Sequence, residues 1–222
     1  MRDSKVIQAV AAIVTVGAVV AMAVTERGGF GPRSNTEPHR AAGAEMARQS
    51  LSLLKPGGQI TVITRDTTAF QNPATDLLLE SFQRELHRAH ASISTIEKLQ
   101  VDPLRLIEVP SGDFQKWIHH AAAGDVIVSF MGPPLLTSEQ RRQLGEIQPA
   151  IVAFCPGGWP DQIDFRPLFE HGLLRTAIVS RCDQHSAAVS LQSFDQSFTV
   201  VTAANVDDFM AAAGKPSAAK SP

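Results

Sequence analysis

The chain has 222 residues, of which 44% are apolar and 19% charged, and its formal net charge is −2. That length allows one or two domains, and the near-neutral balance supplies no basic field for nucleic acid or anionic lipid. Two cysteines, Cys155 and Cys182, are too few for a disulfide scaffold or a four-thiolate zinc site.

From Val6 to Val24 the chain carries no charged residue (VIQAVAAIVTVGAVVAMAV). As a helix this run is roughly 28 Å long, close to the hydrocarbon thickness of a bilayer. The preceding MRDSK is a short basic n-region, and Ala21-Met22-Ala23 fits a small-x-small cleavage site. Two readings follow: a transmembrane anchor that is kept, or a signal peptide removed after Ala23. The run exceeds the usual signal core of about 7–15 residues, which favours the anchor. Arg2 and Lys5 precede the run and Arg27, Arg33 and Arg40 follow it, so the positive-inside bias is weak. The signal-like layout places the bulk of the chain outside the cytoplasm, periplasmic or at the cell surface.

Residues 25–37 are rich in Gly, Pro and polar residues and read as a linker. Pro38 to Leu54 is predicted to be a helix, with Ala41, Met46, Ala47, Leu51 and Leu54 at near-helical intervals and Pro56-Gly57-Gly58 as its stop. Gln59–Thr64 reads as a strand. A helix then starts at Asn72-Pro73 and runs to about Ala91 on a face of Leu78, Leu79, Phe82, Leu86 and Ala89. Ser92–Leu99 is a weaker strand, and Leu104–Val109 a further edge or extended piece. Ser111 is expected to cap a helix carrying Phe114, Trp117, Ile118 and Ala121. There follow a strand at Val126–Phe130, a helix from Ser138 to about Ile147, a strand at Ile151–Cys155, and a short helix around Phe165–Glu170. Strands at Thr176–Ser180 and Phe198–Thr202 and a helix near Val206–Ala212 complete the pattern. Residues 213–222 form a small-residue tail of the kind that stays disordered.

VIVSF, IVAFC and TAIVS are apolar on both faces, as strands are in a parallel sheet covered by helices on each side. The strand-helix alternation points the same way. The expectation is an α/β fold with a three-layer, doubly wound, mostly parallel sheet of five or six strands. It is Rossmann-like or flavodoxin-like and preceded by one transmembrane helix. The domain plan is 1–24 anchor or signal, 25–37 linker, 38–212 α/β domain and 213–222 tail.

In open α/β sheets ligands bind beyond the carboxyl ends of the strands. Four loops follow the strands here: residues 65–68, 131–134, 156–160 and 181–183. The candidate ligand-binding residues are Arg65, Asp66, Thr67, Thr68, Gly157, Gly158, Trp159 and Arg181. The arginines offer carboxylate-matching forks, the threonines hydroxyls, the glycines backbone N–H groups and Trp159 a stacking face. The competing reading is that such loops are simply how βα units turn. Cys155 ends one strand and Cys182 lies just past the next. If those strands are neighbours, a disulfide would close 27 residues, a contribution of roughly 3.5 kcal/mol; two buried free thiols are the alternative.

Other motifs carry less. LKPGG (Leu54–Gly58) before a strand resembles a methyltransferase turn, but no glycine-rich cofactor loop precedes it. His87 and His90 beside Glu85 have metal-ligand spacing without a third ligand, and they flank the apolar stripe as solvated residues do. His119 and His120 are adjacent and diverge by about 100° on a helix. Thr64–Thr68 lacks the glycines of a phosphate loop, and Ser180, Asp183 and His185 sit in no nucleophile elbow. No metal site and no cofactor is implied.

GDVIVSFMGPP and AIVAFCPGG, with the strand order, resemble one lobe of the type 1 periplasmic substrate-binding fold, over roughly residues 59–182. That family holds its ligand between two lobes. The resemblance therefore implies ligand binding only with a second wall, from another envelope protein or a second copy of this chain. Two functions remain. One is a single-pass, membrane-anchored, extracytoplasmic module that binds a ligand or protein partner without catalysis. The other is an enzyme, a hydrolase or transferase, with Arg65, Asp66 or Arg181 in polar roles at the strand ends.

Overall fold

Branched and aromatic residues alternate along QITVIT, VIVSF, IVAFC and TAIVS, so each run can bury side chains on both sides at once. Each forms a strand in the computed structural model, which describes residues 36–68, 72–100, 109–145, 148–181 and 193–213. The strands are β1 (Ile60–Arg65), β2 (Thr95–Leu99), β3 (Val126–Ser129), β4 (Ala150–Cys155), β5 (Thr176–Ser180) and β6 (Phe198–Thr202). They form one sheet in the order β2-β1-β3-β4-β5-β6. All neighbours are parallel except β5 and β6, which run antiparallel with Ile178 opposite Val200.

Helices cover both faces. On one side lie α1 (Glu37–Leu53) and α2 (Pro73–Arg88), packed over Ile60, Val62, Val126, Val128, Val152 and Phe154. Gly43 lets these two helices approach closely: a Cβ there would fall 2.3 Å from the Leu78 carbonyl oxygen. The Ser81 hydroxyl donates to the Arg40 carbonyl at 2.7 Å across the same seam. The other side holds α3 (Ser111–His120), α4 (Ser138–Gln143), α5 (Trp159–Gln162), α6 (Arg166–Glu170) and α8 (Val206–Ala213). Phe114, Ile118, Trp159, Phe165, Leu168 and Val206 there meet Ile63, Ile127, Ile151, Ala153 and Val179 of the sheet. A one-turn helix, α7 (Phe194–Ser197), precedes β6. The three-layer, mostly parallel arrangement expected from the sequence is present.

Several boundaries differ from expectation. Ser111 is the first residue of α3, not its cap. Pro110 occupies the N-cap position, and the Ser111 hydroxyl instead accepts from Gln140 Nε2 at 3.2 Å. α2 ends at Arg88, because His90 turns to φ 57° just beyond it. α4 stops at Gln143 with Leu144 extended at its end. β2 begins at Thr95, and Ser94 still donates its N–H to the Ile60 carbonyl at 2.9 Å. α5 and α7 are too short to leave a helical period in the sequence. Among the described residues no helix is long and apolar enough to cross a membrane. The expected anchor, the linker up to residue 35, the extended piece at 104–108 and the tail from 214 lie outside the described residues.

Candidate functional site

From β1 the chain crosses to β2 on one side, then returns to place β3 on the other side of β1. The connections leaving β1 and β3 diverge there, and such a switch point opens a crevice at the carboxyl ends of the strands. A cleft of about 450 Å³ lies there. Arg65 enters it from the end of β1, Phe130 and Met131 from the end of β3, and Phe154, Pro156, Gly158 and Trp159 from the end of β4. The first turns of α2 add Asn72, Ala74, Thr75 and Leu78; α1 adds His39 and α5 adds Gln162.

The local chemistry explains these positions. Asn72 caps α2, its side-chain oxygen accepting from the Thr75 N–H at 3.3 Å, and Pro73 at the first helical position lacks an N–H to satisfy. Trp159 is 8% exposed and packs over Gly132. His39 stands edge-on to Phe198, ring centroids 6.3 Å apart, and partial burial holds its pKa below the ordinary value. Arg65 is half-buried and, among the described residues, forms no ion pair.

Of the residues named from sequence, Arg65, Gly158 and Trp159 meet in this cleft. Asp66, Thr67 and Thr68 fold into their own turn. The Thr68 N–H (3.0 Å) and hydroxyl (2.7 Å) both donate to Asp66 Oδ1, and the Thr67 hydroxyl donates to Asp76 Oδ1 at 3.2 Å. Those two Thr68 bonds, backbone first, hold the Asp66 carboxyl below its usual range, with Lys98 adding a smaller effect. Gly157 is exposed at φ 75°, with open space around it. Arg181 is drawn to the far strand pair, its N–H on the Ser197 carbonyl (3.0 Å) and its Nε on the Phe198 carbonyl (3.3 Å). β4 and β5 are neighbours, with Cys155 opposite Val179. Cys155 is a buried free thiol whose pKa burial pushes up, while Cys182 lies outside the described residues.

Sequence reasoning missed His39, Asn72, Thr75, Leu78, Phe130, Phe154 and Gln162. One signal for two of them was available: a long helix beginning at Asn72, directly after β1, aims its N-terminus at the strand ends. His39 carries no such mark, because only the packing of α1 on the sheet brings it there.

Elsewhere, His87 and His90 are exposed at the end of α2, and His119 and His120 at the end of α3. Among the described residues no three His, Cys, Asp or Glu side chains gather as a metal site would require. Asp183 and His185 lie outside the described residues. A second concavity of about 630 Å³ sits at the amino ends of β4 and β5, with Lys55, Glu170, His171 and Arg175 in its lining. Lys55 follows the end of α1 and His171 the end of α6.

Fold and cleft together define a doubly wound α/β domain with a crevice at its topological switch point. No protein-family model matches the chain, and no curated protein does. Its backbone is similar to solved structures of sugar- and solute-binding proteins and of a transcriptional regulator. AraP, an arabinose binding protein from Geobacillus stearothermophilus, is 15% identical with a TM-score of 0.48, over 79% of this chain and 63% of that one. An ABC transporter solute binding protein from Burkholderia graminis, solved with D-arabinose, is 17% identical with a TM-score of 0.48, over 75% and 60%. A candidate LacI transcriptional regulator from Bacteroides fragilis is 14% identical with a TM-score of 0.49, over 77% and 61%. The chain thus spans less than two thirds of the length of each.

Proposed function

We propose that this chain is a non-catalytic ligand-binding module, held at a membrane by residues 6–24 with its α/β domain outside the cytoplasm. The observation that carries the reading is the composition of the cleft. Trp159, Phe154, Phe130, Met131 and Leu78 give it an apolar wall, and Arg65, Asn72, Thr75, Gln162 and His39 give it scattered polar groups. That mixture suits retention and orientation of a small molecule. Acid-base or nucleophilic catalysis needs a reactive side chain within hydrogen-bond reach of a base. Among the described residues no such pair lines this cleft. Asp66, given a polar role in the enzyme reading, accepts two hydrogen bonds from Thr68.

Arg65, Gly158 and Trp159 are the ligand contacts in this reading, and the turn from Asp66 to Thr68 holds the loop that presents Arg65. The second wall implied by the sequence resemblance would come from another envelope protein or a second copy. The anchor rests on the uncharged run itself, whose length matches a bilayer.

The reading is tested on the full chain in nanodiscs of zwitterionic lipid. A Trp117→Phe background leaves Trp159 as the reporting indole, and it is titrated with sugars, carboxylic acids, amino acids and nucleotides. Saturable change from one chemical class supports a binding module; a folded protein silent to every class overturns it. Alkaline-carbonate washing of membranes tests the anchor, which requires the full chain to stay in the pellet.

A further inference from the structure

We infer that the ligand of this cleft is a monocarboxylate with a flat apolar body. This rests on the binding reading above and names the class of molecule. Three observations converge on it.

The first is Arg65. A guanidinium has five N–H donors in a fixed fork and no acceptor. Here it is half-buried at a cleft wall, and no carboxylate among the described residues pairs with it. Partly removing such a group from water costs free energy that an arriving anion recovers, and a carboxylate matches the fork two bonds at a time.

The second is the start of α2. This 16-residue helix opens onto the same cleft through Asn72, Ala74 and Thr75. Its first turn brings the positive end of the helix dipole to the cleft, offset in part by Asp76 of the same turn, whose carboxylate accepts from Thr67. The Thr75 N–H already serves Asn72, but the Thr75 hydroxyl is free to rotate toward a ligand oxygen.

The third is what the lining lacks. Among the described residues that line the cleft none is Asp or Glu, Asp76 and Asp161 standing outside the lining, so an ammonium group would enter beside Arg65 with no countercharge in contact. That disfavours amino acids and amines. One guanidinium also suits one negative charge; a phosphate dianion would leave a net charge in a half-buried site. Trp159, Phe154 and Phe130 also line the cleft, and aromatic side chains of this kind receive a planar apolar group.

The test uses the full chain in zwitterionic nanodiscs with Trp117→Phe, and reads Trp159 fluorescence. The probes are phenylacetate, its neutral isostere phenylacetamide, phenethylamine, phenyl phosphate and D-arabinose. Phenylacetate is expected to bind about tenfold or more tightly than any of the others, with affinity falling as salt rises. Arg65→Gln should weaken phenylacetate by about tenfold to a hundredfold and phenylacetamide by a much smaller factor. Circular dichroism and the melting temperature establish that this variant is folded. Equal binding of the amide or of arabinose, or indifference of phenylacetate to Arg65→Gln, overturns the carboxylate assignment while the cleft remains a binding site. Silence of every probe on a folded chain overturns both.

Discussion

The indole of Trp159 occupies the space where residue 132 would carry a side chain: a Cβ built on Gly132 would fall 2.6 Å from Trp159 Cζ2 and 3.0 Å from Cη2. Gly132 also sits at φ 96°, and its N–H donates to the Phe154 carbonyl at 3.1 Å. One residue thus joins the end of β3 to the end of β4 and seats the aromatic wall of the cleft. Gly132→Ala should destabilise the domain by on the order of 2–4 kcal/mol, from the left-handed backbone and the overpacked ring together. Urea unfolding followed by Trp159 emission checks it. An unchanged midpoint with an unshifted emission maximum would mean that the contact does not seat the ring.

Thr64 is a polar residue in an apolar place. It is 2% exposed, on the face of β1 that also presents Val62 to α1 and α2, and its hydroxyl has no hydrogen-bond partner. A buried hydroxyl without a partner costs roughly 1–3 kcal/mol. Thr64→Val keeps the shape and the β-branched preference while removing that cost, so it should raise stability by about 1 kcal/mol. A loss of stability on denaturant titration would show that the hydroxyl is satisfied, for instance by water.

The sheet was legible because its signal is repeated. Val126–Ser129, Ala150–Cys155 and Thr176–Ser180 each bury nearly every residue, and only a sheet covered on both faces asks that of a strand. The antiparallel sense of β6 was not legible, since FTVVT would serve either direction. The site was legible in part. Rules about strand ends identify Arg65, Gly158 and Trp159, because chain position alone puts them beyond β1 and β4. They also named Arg181, whose bonds to the Ser197 and Phe198 carbonyls depend on where β6 docks, a long-range fact. His39 escaped for the same reason. It lies 26 residues before Arg65 and reaches the cleft only because α1 packs on the sheet beside α2.

Cys155 should behave as an inert thiol while the domain is folded. It is fully buried beside the end of β4, and burial pushes its pKa up because the thiolate would be stranded away from water. The thiolate is the reactive form. In a Cys182→Ser background, Ellman's reagent at pH 8 should therefore label the native protein only at the rate of unfolding, and label it at once in denaturant. Rapid native labelling would place the thiol at the surface.

His39 gives stability a dependence on pH. Partial burial lowers its folded pKa below the ordinary value of 6.5, so in the window between the two values the unfolded chain binds more protons than the folded one. Stability then rises with pH across that window. Its contribution is complete above about 6.5, is lost as pH falls toward the lowered value, and changes no further below it. The ring also contacts Phe198 and shares the cleft with Arg65, so a protonated imidazole would meet an apolar edge and a second cation there. Urea unfolding of wild type and His39→Gln between pH 8 and pH 4.5 separates this group from the acidic residues that also titrate. The wild type should lose stability relative to His39→Gln as the pH drops below 6.5. Parallel curves across the window would show that the imidazole is as well solvated in the folded chain as in the unfolded one.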